Sequence, residues 1–391
     1  MADDFLEDFG MSQAEHFALV QFAQANTFDD GSKLARLRTQ QRYADKGSAI
    51  ADLLVSFKGL RSAAGICSEI ISLKQDPTRS LDWETTLEKL YGDPIMSRSR
   101  VTWLAFQAAL RADAKFALEV APARSHENTL TGTLIRGLTA ECDLWASHAA
   151  GFLSRIKAPL TFESADISVG GGEQETGGDF VVIIDLEEEA ETRADLHSSA
   201  RALLGPRCGH QIIPIVFQAK RFVGTKANIS QWHEKRGYQF NKLRKTKCAS
   251  SYIFYENGDE EINAAALPIV KPVQNCKPIS VEKYTPVYEN STDLATYLLW
   301  AINDPDAFPR APTKEDAMNM VCASVRRSFR RIVFLGNTDG LRKLYAEAYR
   351  NLKDEIAEQN RSVSRSPMPE DLESGPAGND DTTPPAKPFG F

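Results

Sequence analysis

The sequence predicts an α/β (α+β) fold: a mixed central sheet with helical regions on its N- and C-terminal sides. Three observations carry this expectation. Amphipathic, capped helical patterns run to about residue 121. The texture then switches near residue 125 to runs rich in Val, Ile, Phe and Tyr bounded by Gly, Pro and Asn. Helical periodicity returns after about residue 286. At 391 residues, with 42% hydrophobic and 25% charged side chains, the chain exceeds one small module and has ample apolar material for a core.

In the region 1–121, Ser12 and Glu15 have capping-box spacing before HFALVQFAQ. Residues 50–73 form an amphipathic stretch, and a helix over 82–90 stops at Gly92. No solenoid-period repeat and no catalytic motif occurs there, so dimerisation, target recognition or partner contact is the expected role. The region 122–285 reads as a helix over 127–153, strands over 160–169, 180–186 and 212–219, a helix over 229–247, and a strand over 251–255. A helix, three strands, a helix and a strand predict a mixed sheet with helices on its faces. Beyond an apolar run at 269–273 and a Pro-containing linker, helical stretches at 292–302, 313–335 and 341–359 predict a helical C-terminal subdomain over 286–360. Residues 361–391 hold six prolines and three glycines with few apolar side chains, too little to offset ordering entropy, so a disordered tail is expected. Its end, Pro388-Phe389-Gly390-Phe391, reads as solvated tail rather than docking peptide.

Charge narrows the function classes. Lys plus Arg number 46 against 53 Asp plus Glu, a net charge of −7, which opposes a protein that coats nucleic acid by bulk attraction. Any polyanion site must be a local patch. No apolar run approaches the roughly 20 residues that span a bilayer, and the start MADDFLEDFG is acidic where a secretory signal is basic, so cytoplasmic residence is expected. The six cysteines are scattered without a CxxC pair and read as reduced thiols. Cys208 and His210 lack the second pair a zinc site needs.

Three short stretches carry the chemistry: His126-Glu127-Asn128 at a helix start, Gly177-Gly178-Asp179 opening an apolar strand, and Phe217-Gln218-Ala219-Lys220-Arg221 closing another. Singly each is weak, since Asp179 suits a turn and Lys220 suits the exit of a buried strand. Their order and placement raise their weight. Strand alternation puts Gln218 and Lys220 on one face, and the two acids can converge on the same sheet edge. Oxygen ligands of this kind hold a hard cation such as Mg²⁺ or Mn²⁺, and a lysine beside it can serve an attacking water and offset charge on a phosphorane.

At these residues the chain resembles the PD-(D/E)XK nuclease superfamily over roughly 125–255, most closely its Mrr-like branch with a QxK motif. The resemblance implies a restriction-endonuclease-like core in which Glu127 is the helix acid, Asp179 the metal-binding aspartate, Gln218 a neutral ligand in place of the second acid, and Lys220 the catalytic lysine. It further implies Mg²⁺- or Mn²⁺-dependent cleavage of DNA, with RNA the alternative, in restriction, repair or anti-phage defence. Gly178 stands where the motif has proline, and a neutral Gln218 weakens metal affinity. The stretch 187–209, with Glu187-Glu188-Glu189, lengthens the connection between the motif strands.

From Lys220 to Lys247 nine basic residues face one acid, Glu234. Among them Arg221, Lys226, Lys235, Arg236 and Lys242 are candidate phosphate contacts, against the plainer reading of a solvated helix face. On the expected helix 229–247, Trp232, Gln239 and Leu243 share a face, which turns Gln239 toward the sheet; the Mrr-like branch places a glutamine near the site in the same way. Arg326, Arg327, Arg330 and Arg331 form an arginine stripe on an expected helix, suited to nucleic acid, an acidic partner or solvent. Glu173 and Glu175 in the glycine-rich loop beside Asp179 are further metal candidates, with solvated loop the plainer reading. The leading expectation is a Mg²⁺-dependent endonuclease, homo-oligomeric, with a sensor or regulatory subunit among its expected partners. Its rival is a weak or inactive nuclease fold that binds nucleic acid or scaffolds a complex.

Overall fold

The computed structural model describes residues 11–43, 50, 53–54, 83–97, 99–166, 177–187, 211–233, 237–258, 262–304, 307–322 and 331–363. The N-terminal helices are α1 (Gln13–Asn26), α2 (Asp30–Arg42), α3 (Trp83–Tyr91) and α4 (Arg100–Lys115). The capping box forms as expected: Ser12 N–H donates to Glu15 Oε2 at 2.9 Å, and Glu15 N–H donates to Ser12 Oγ at 3.3 Å. Ser99 caps α4 by accepting from Thr102 N–H at 3.0 Å. α4 is buried along nearly its whole length, because RVTWLAFQAALRADAK alternates bulky with small side chains and lets neighbours approach on several sides. It packs against α5 (Glu127–His148) and α8 (Leu294–Asn303), so the N-terminal helices share one core with the sheet.

The central sheet has seven strands: β1 (Thr161–Asp166), β2 (Phe180–Leu186), β3 (Gln211–Phe222), β7 (Ala249–Glu256), β8 (Ile269–Pro272), β10 (Thr292–Asp293) and β11 (Arg331–Gly336). Their spatial order is β1-β11-β2-β3-β7-β8-β10, with β11/β2 and β3/β7 parallel and the other neighbours antiparallel. The sheet is therefore mixed, as expected. β2 is buried at every position, as an apolar run covered on both faces requires.

Side-chain contacts assign the two faces. Phe217 stacks on Phe180 at 5.1 Å and meets Tyr297 of α8 edge-on at 5.9 Å, so one face lies under α8. On the other face Asp185 accepts from Tyr345 Oη at 2.8 Å, on α10 (Leu341–Val363), and pairs with Lys314 Nζ at 3.2 Å, on α9 (Lys314–Val321). Asp185 stands opposite Ile212 across the β2/β3 ladder, so by alternation Gln218 and Lys220 belong to the α9/α10 face.

The structure corrects three sequence expectations. The helix over 313–335 ends at Val321; Arg331–Gly336 is instead a strand that enters the sheet between β1 and β2. IVFLG is β-branched and apolar, and parallel pairing with β2 buries it on both faces, which outweighs helical spacing in the preceding arginines. Arg331 is thus a strand residue beside Gly132 of α5, and residues 326–330 lie outside the described residues. The helix over 229–247 is replaced by β4 (Lys226–Asn228), β5 (Trp232–His233), β6 (Gly237–Tyr238) and a short α7 (Gln239–Leu243). β4 pairs with the distant β9 (Tyr284–Pro286), Ile229 N–H donates to Lys283 O at 3.0 Å, and Gly237 adopts φ 69°, all incompatible with one helix. Finally, the helix over 127–153 breaks at Ala149, and α6 (Ala150–Ile156) follows α5. The stretch 55–82 and the tail beyond 363 lie outside the described residues.

Candidate functional site

β3 is longer than its partner β2. Their ladder ends at Phe180 opposite Phe217, and beyond it Asp179 N–H donates to Phe217 O at 2.7 Å. The overhang leaves backbone N–H groups on the β2 side of β3 without strand partners, at Ala219 and Arg221. Two carboxylates take them: Ala219 N–H donates to Asp179 Oδ2 at 2.8 Å, and Arg221 N–H donates to Glu127 Oε2 at 3.2 Å. The helix acid and the strand acid are thus gathered on one strand end because that end needs acceptors.

Around this overhang the expected quartet assembles. Gln218 Nε2 donates to Asp179 Oδ2 at 2.7 Å and to Ala219 O at 3.1 Å. Lys220 Nζ lies 3.4 Å from Glu127 Oε1 and donates to Gln231 Oε1 at 2.8 Å. The Lys220 side chain is only 9% exposed, against 31% for Glu127, so its charge is held in a largely dry environment by one carboxylate and one amide oxygen. Gln239, the first residue of α7, comes in over the strand entry. The glycine two residues before the acid makes this possible: Gly177 has φ 80°, and a Cβ there would stand 2.6 Å from Gln239 O.

Three buried polar atoms on this side have no hydrogen-bond partner among the described residues: Gln218 Oε1, Gln239 Oε1 and Tyr252 Oη. Tyr252 is opposite Gln218 on β7, in register. Burial, with the nearby Cys276 and Asp179, raises the Tyr252 phenol well above its ordinary pKa and keeps it a neutral donor. Unpaired buried polar groups are costly and recur where a ligand or ion completes them.

These atoms fit one hard cation only sparsely. Among the described residues no group of three or more His, Cys, Asp and Glu is placed to hold a metal ion. Glu127 is engaged by Lys220 and Arg221, and Asp179 Oδ2 by Gln218 and Ala219. Asp179 and the free amide oxygen of Gln218 suit a Mg²⁺ that keeps most of its waters and takes its remaining ligands from substrate.

The other sequence candidates scatter. Arg221 Nη1 donates to Ser125 O at 2.8 Å, Lys226 is exposed on β4, and Lys242 lies on α7. Lys235, Arg236, Glu173, Glu175, Cys208 and His210 lie outside the described residues. The face shared by Trp232, Gln239 and Leu243 does not exist: Trp232 is on β5 and 57% exposed, while Leu243 is buried. Sequence reasoning missed Gln231 and Tyr252. A glutamine in a polar loop carries no local signal, and a tyrosine in SSYIFYE reads as core. Of the described cysteines, Cys142, Cys248, Cys276 and Cys322 are buried free thiols; burial raises Cys248 to about 12. No protein-family model, no curated protein and no solved structure matches this chain.

Proposed function

We propose that the chain is a metal-dependent nuclease of the PD-(D/E)XK type, with a QxK site, that hydrolyses phosphodiester bonds in DNA. The observation that carries this reading is the buried ammonium of Lys220, held beside Glu127 and two residues along β3 from Gln218, which is bonded to Asp179. A buried lysine fixed by neutral and anionic oxygens at a strand end is arranged to meet an incoming anion.

Asp179 and Gln218 Oε1 would hold the cation, which when bound supplies Lewis acidity and a water of lowered pKa. Lys220 donates to the attacking water or to a non-bridging phosphate oxygen, where negative charge grows. Gln231 and Glu127 hold the ammonium so that it need not reorganise as that charge develops. Gln239 and Tyr252 complete the walls with one acceptor and one donor. The expected setting is restriction or anti-phage defence, with activity restrained by a partner subunit.

One observation favours a second reading. Asp179 and Glu127 both satisfy orphaned strand N–H groups, a purely architectural duty, so the site also suits a non-cleaving nucleic-acid-binding or scaffold protein.

The deciding experiment is a cleavage panel on single-stranded circular and supercoiled plasmid DNA with Mg²⁺ or Mn²⁺, comparing wild type with Lys220→Ala and Asp179→Ala, each checked by circular dichroism. Cleavage by wild type and a loss of at least about 10²-fold in both folded variants is the expected result. Unchanged cleavage in both variants overturns the nuclease assignment, and silence of the wild type under every condition favours the scaffold reading.

A further inference from the structure

Beyond Phe222 the chain leaves the sheet as an arm that the catalytic reading does not use. β4 pairs with β9, so Asn228 stands directly opposite Tyr284, and Ile229 N–H ties the arm to Lys283 O at 3.0 Å. Gln231 then turns its amide back to Lys220 at 2.8 Å, and the next residue, Trp232, faces solvent. Trp232 is 57% exposed, Tyr284 51% and Val223, at the root of the arm, 71%. Neither aromatic ring stacks on another ring among the described residues. Trp232 on the β5/β6 ribbon and Tyr284 on the β4/β9 ribbon each leave about half of their surface in solvent, and a core-building role does not explain them.

The two segments that bear the rings are rich in lysine. The same segments carry Lys226 on β4 and Lys277 and Lys283 ahead of Tyr284, with Glu282 bridging Lys226 at 3.5 Å and Lys277 at 3.3 Å. Trp232 is four residues from Asn228, so the Cα atoms of the two ring-bearing residues lie within about 20 Å, a span of a few nucleotides. Rings that present open faces beside lysines suit a polyanion whose own flat rings are accessible. A duplex hides its base faces in the stack and offers such rings little, whereas an unpaired strand offers one face per nucleotide.

We infer that Trp232 and Tyr284 form a base-stacking platform for unpaired DNA, which leads a single strand along the β4–β9 arm to Lys220. This inference rests on the nuclease reading for its direction toward the site, but binding tests it without cleavage. Gln231 couples the two, since the residue before the platform is the one that holds the Lys220 ammonium.

The test is fluorescence-anisotropy titration in EDTA of a labelled 12-nucleotide single strand and of the same sequence as a blunt hairpin duplex (about 12 base pairs, enough to span the arm). It uses full-length wild type, Trp232→Ala, Tyr284→Ala and, as a control on an exposed aromatic elsewhere, Phe17→Ala. The expected result is tighter binding of the single strand than of the duplex by wild type. Trp232→Ala and Tyr284→Ala should each lose about tenfold in single-strand affinity while duplex affinity and Phe17→Ala stay put. Intrinsic tryptophan emission gives a second readout: Trp83, Trp103 and Trp145 are buried and Trp300 is half-buried with its indole on Asp304, so quenching by the oligonucleotide should fall largely with Trp232. Equal affinity for both forms, duplex preference, absent binding or variants that bind like wild type each overturn the platform. The nuclease reading fails separately, when Lys220→Ala and Asp179→Ala cut as wild type does.

Discussion

Asp179 and Gln218 are joined through one carboxylate oxygen: Gln218 Nε2 donates to Asp179 Oδ2 at 2.7 Å, and Gln218 Oε1 is left buried with no partner among the described residues. The amide thus acts at both ends. Its donor neutralises part of the Asp179 charge, and its acceptor is left as a neutral oxygen for a ligand. A carboxylate at position 218 has no proton to donate and would face Asp179 as a like charge.

Gln218→Glu tests this directly. In EDTA at neutral pH the variant should be about 1–3 kcal/mol less stable than wild type, because a buried donor is replaced by a repelling anion. The folded-state pKa of the carboxylate pair is then raised, so the deficit should shrink as pH falls and the extra proton binds. Added Mg²⁺ should raise the melting temperature of the variant more than that of wild type, by linkage to the charged pair. Thermal melts across pH, with and without Mg²⁺, check both, and a variant insensitive to pH and to Mg²⁺ would refute the arrangement.

How much of this site is legible in the sequence follows from where each residue's constraint originates. β2 is read to the residue, because an apolar run bounded by GGD and a run of glutamates has both ends marked locally. The quartet is legible because alternation along β3 is a local rule. Pairings made at long range are not: β11 is preceded by arginines whose spacing is helical, and only docking between β1 and β2 reveals the strand. β4, which begins the arm ahead of Trp232, is misread for the same reason, since its partner β9 lies more than fifty residues downstream and no local pattern announces it. Gln231 inherits that error, which is why the acceptor for Lys220 is invisible before the fold.

Glu127 carries two loads that a single substitution separates. Glu127→Gln keeps an oxygen for the Arg221 N–H but removes the charge beside Lys220. With Glu127 31% exposed but Lys220 only 9%, loss of the countercharge should cost about 1–3 kcal/mol. Cleavage should fall roughly tenfold or more, as expected for loss of a group that holds the lysine in place. Glu127→Ala should lose further stability, since Arg221 N–H is then orphaned. Urea melts beside initial cleavage rates distinguish the two loads; equal stability loss in both variants would show that the charge alone matters.

Tyr252 and Tyr255 make a matched pair on β7. Tyr252 Oη is buried without a partner among the described residues, whereas Tyr255 Oη shares a hydrogen bond with Thr131 Oγ1 at 3.2 Å. Tyr252→Phe should leave stability unchanged or raise it slightly, because an unpaired buried hydroxyl is removed, while Tyr255→Phe should cost about 1 kcal/mol. If Tyr252 donates to a bound water or phosphate oxygen, its Phe variant is at the same time slower in cleavage. A Tyr252→Phe protein that is markedly destabilised would show that the hydroxyl has a structural partner and no place in the site.

A second pair of acids, far from the site in sequence logic, contributes to the pH dependence of stability. Asp113 of α4 and Asp293 both cap the start of α8: Asp113 Oδ2 accepts from Ala295 N–H at 2.9 Å, and Asp293 Oδ1 accepts from Thr296 N–H at 2.9 Å. Their other oxygens, Asp113 Oδ1 and Asp293 Oδ2, are buried without partners among the described residues. Burial first, and for Asp113 the neighbouring Asp293 charge second, raise both carboxyls above the ordinary aspartate value, with hydrogen bonds from Thr296 and, more weakly, Arg36 opposing the shift at Asp293. Raised pKa values in the fold mean that the native state binds more protons than the unfolded chain. The stabilising contribution is therefore complete below the ordinary aspartate value of 3.8 and is lost as pH climbs through the raised values. Asp113→Asn keeps the acceptor for Ala295 and adds a donor for its neighbour, so at neutral pH it should stabilise the protein by about 1 kcal/mol and flatten the decline above pH ~4. Urea melts at intervals between about pH 4 and 8 decide the point: parallel profiles for wild type and Asp113→Asn would mean that the two carboxyls do not share this burden.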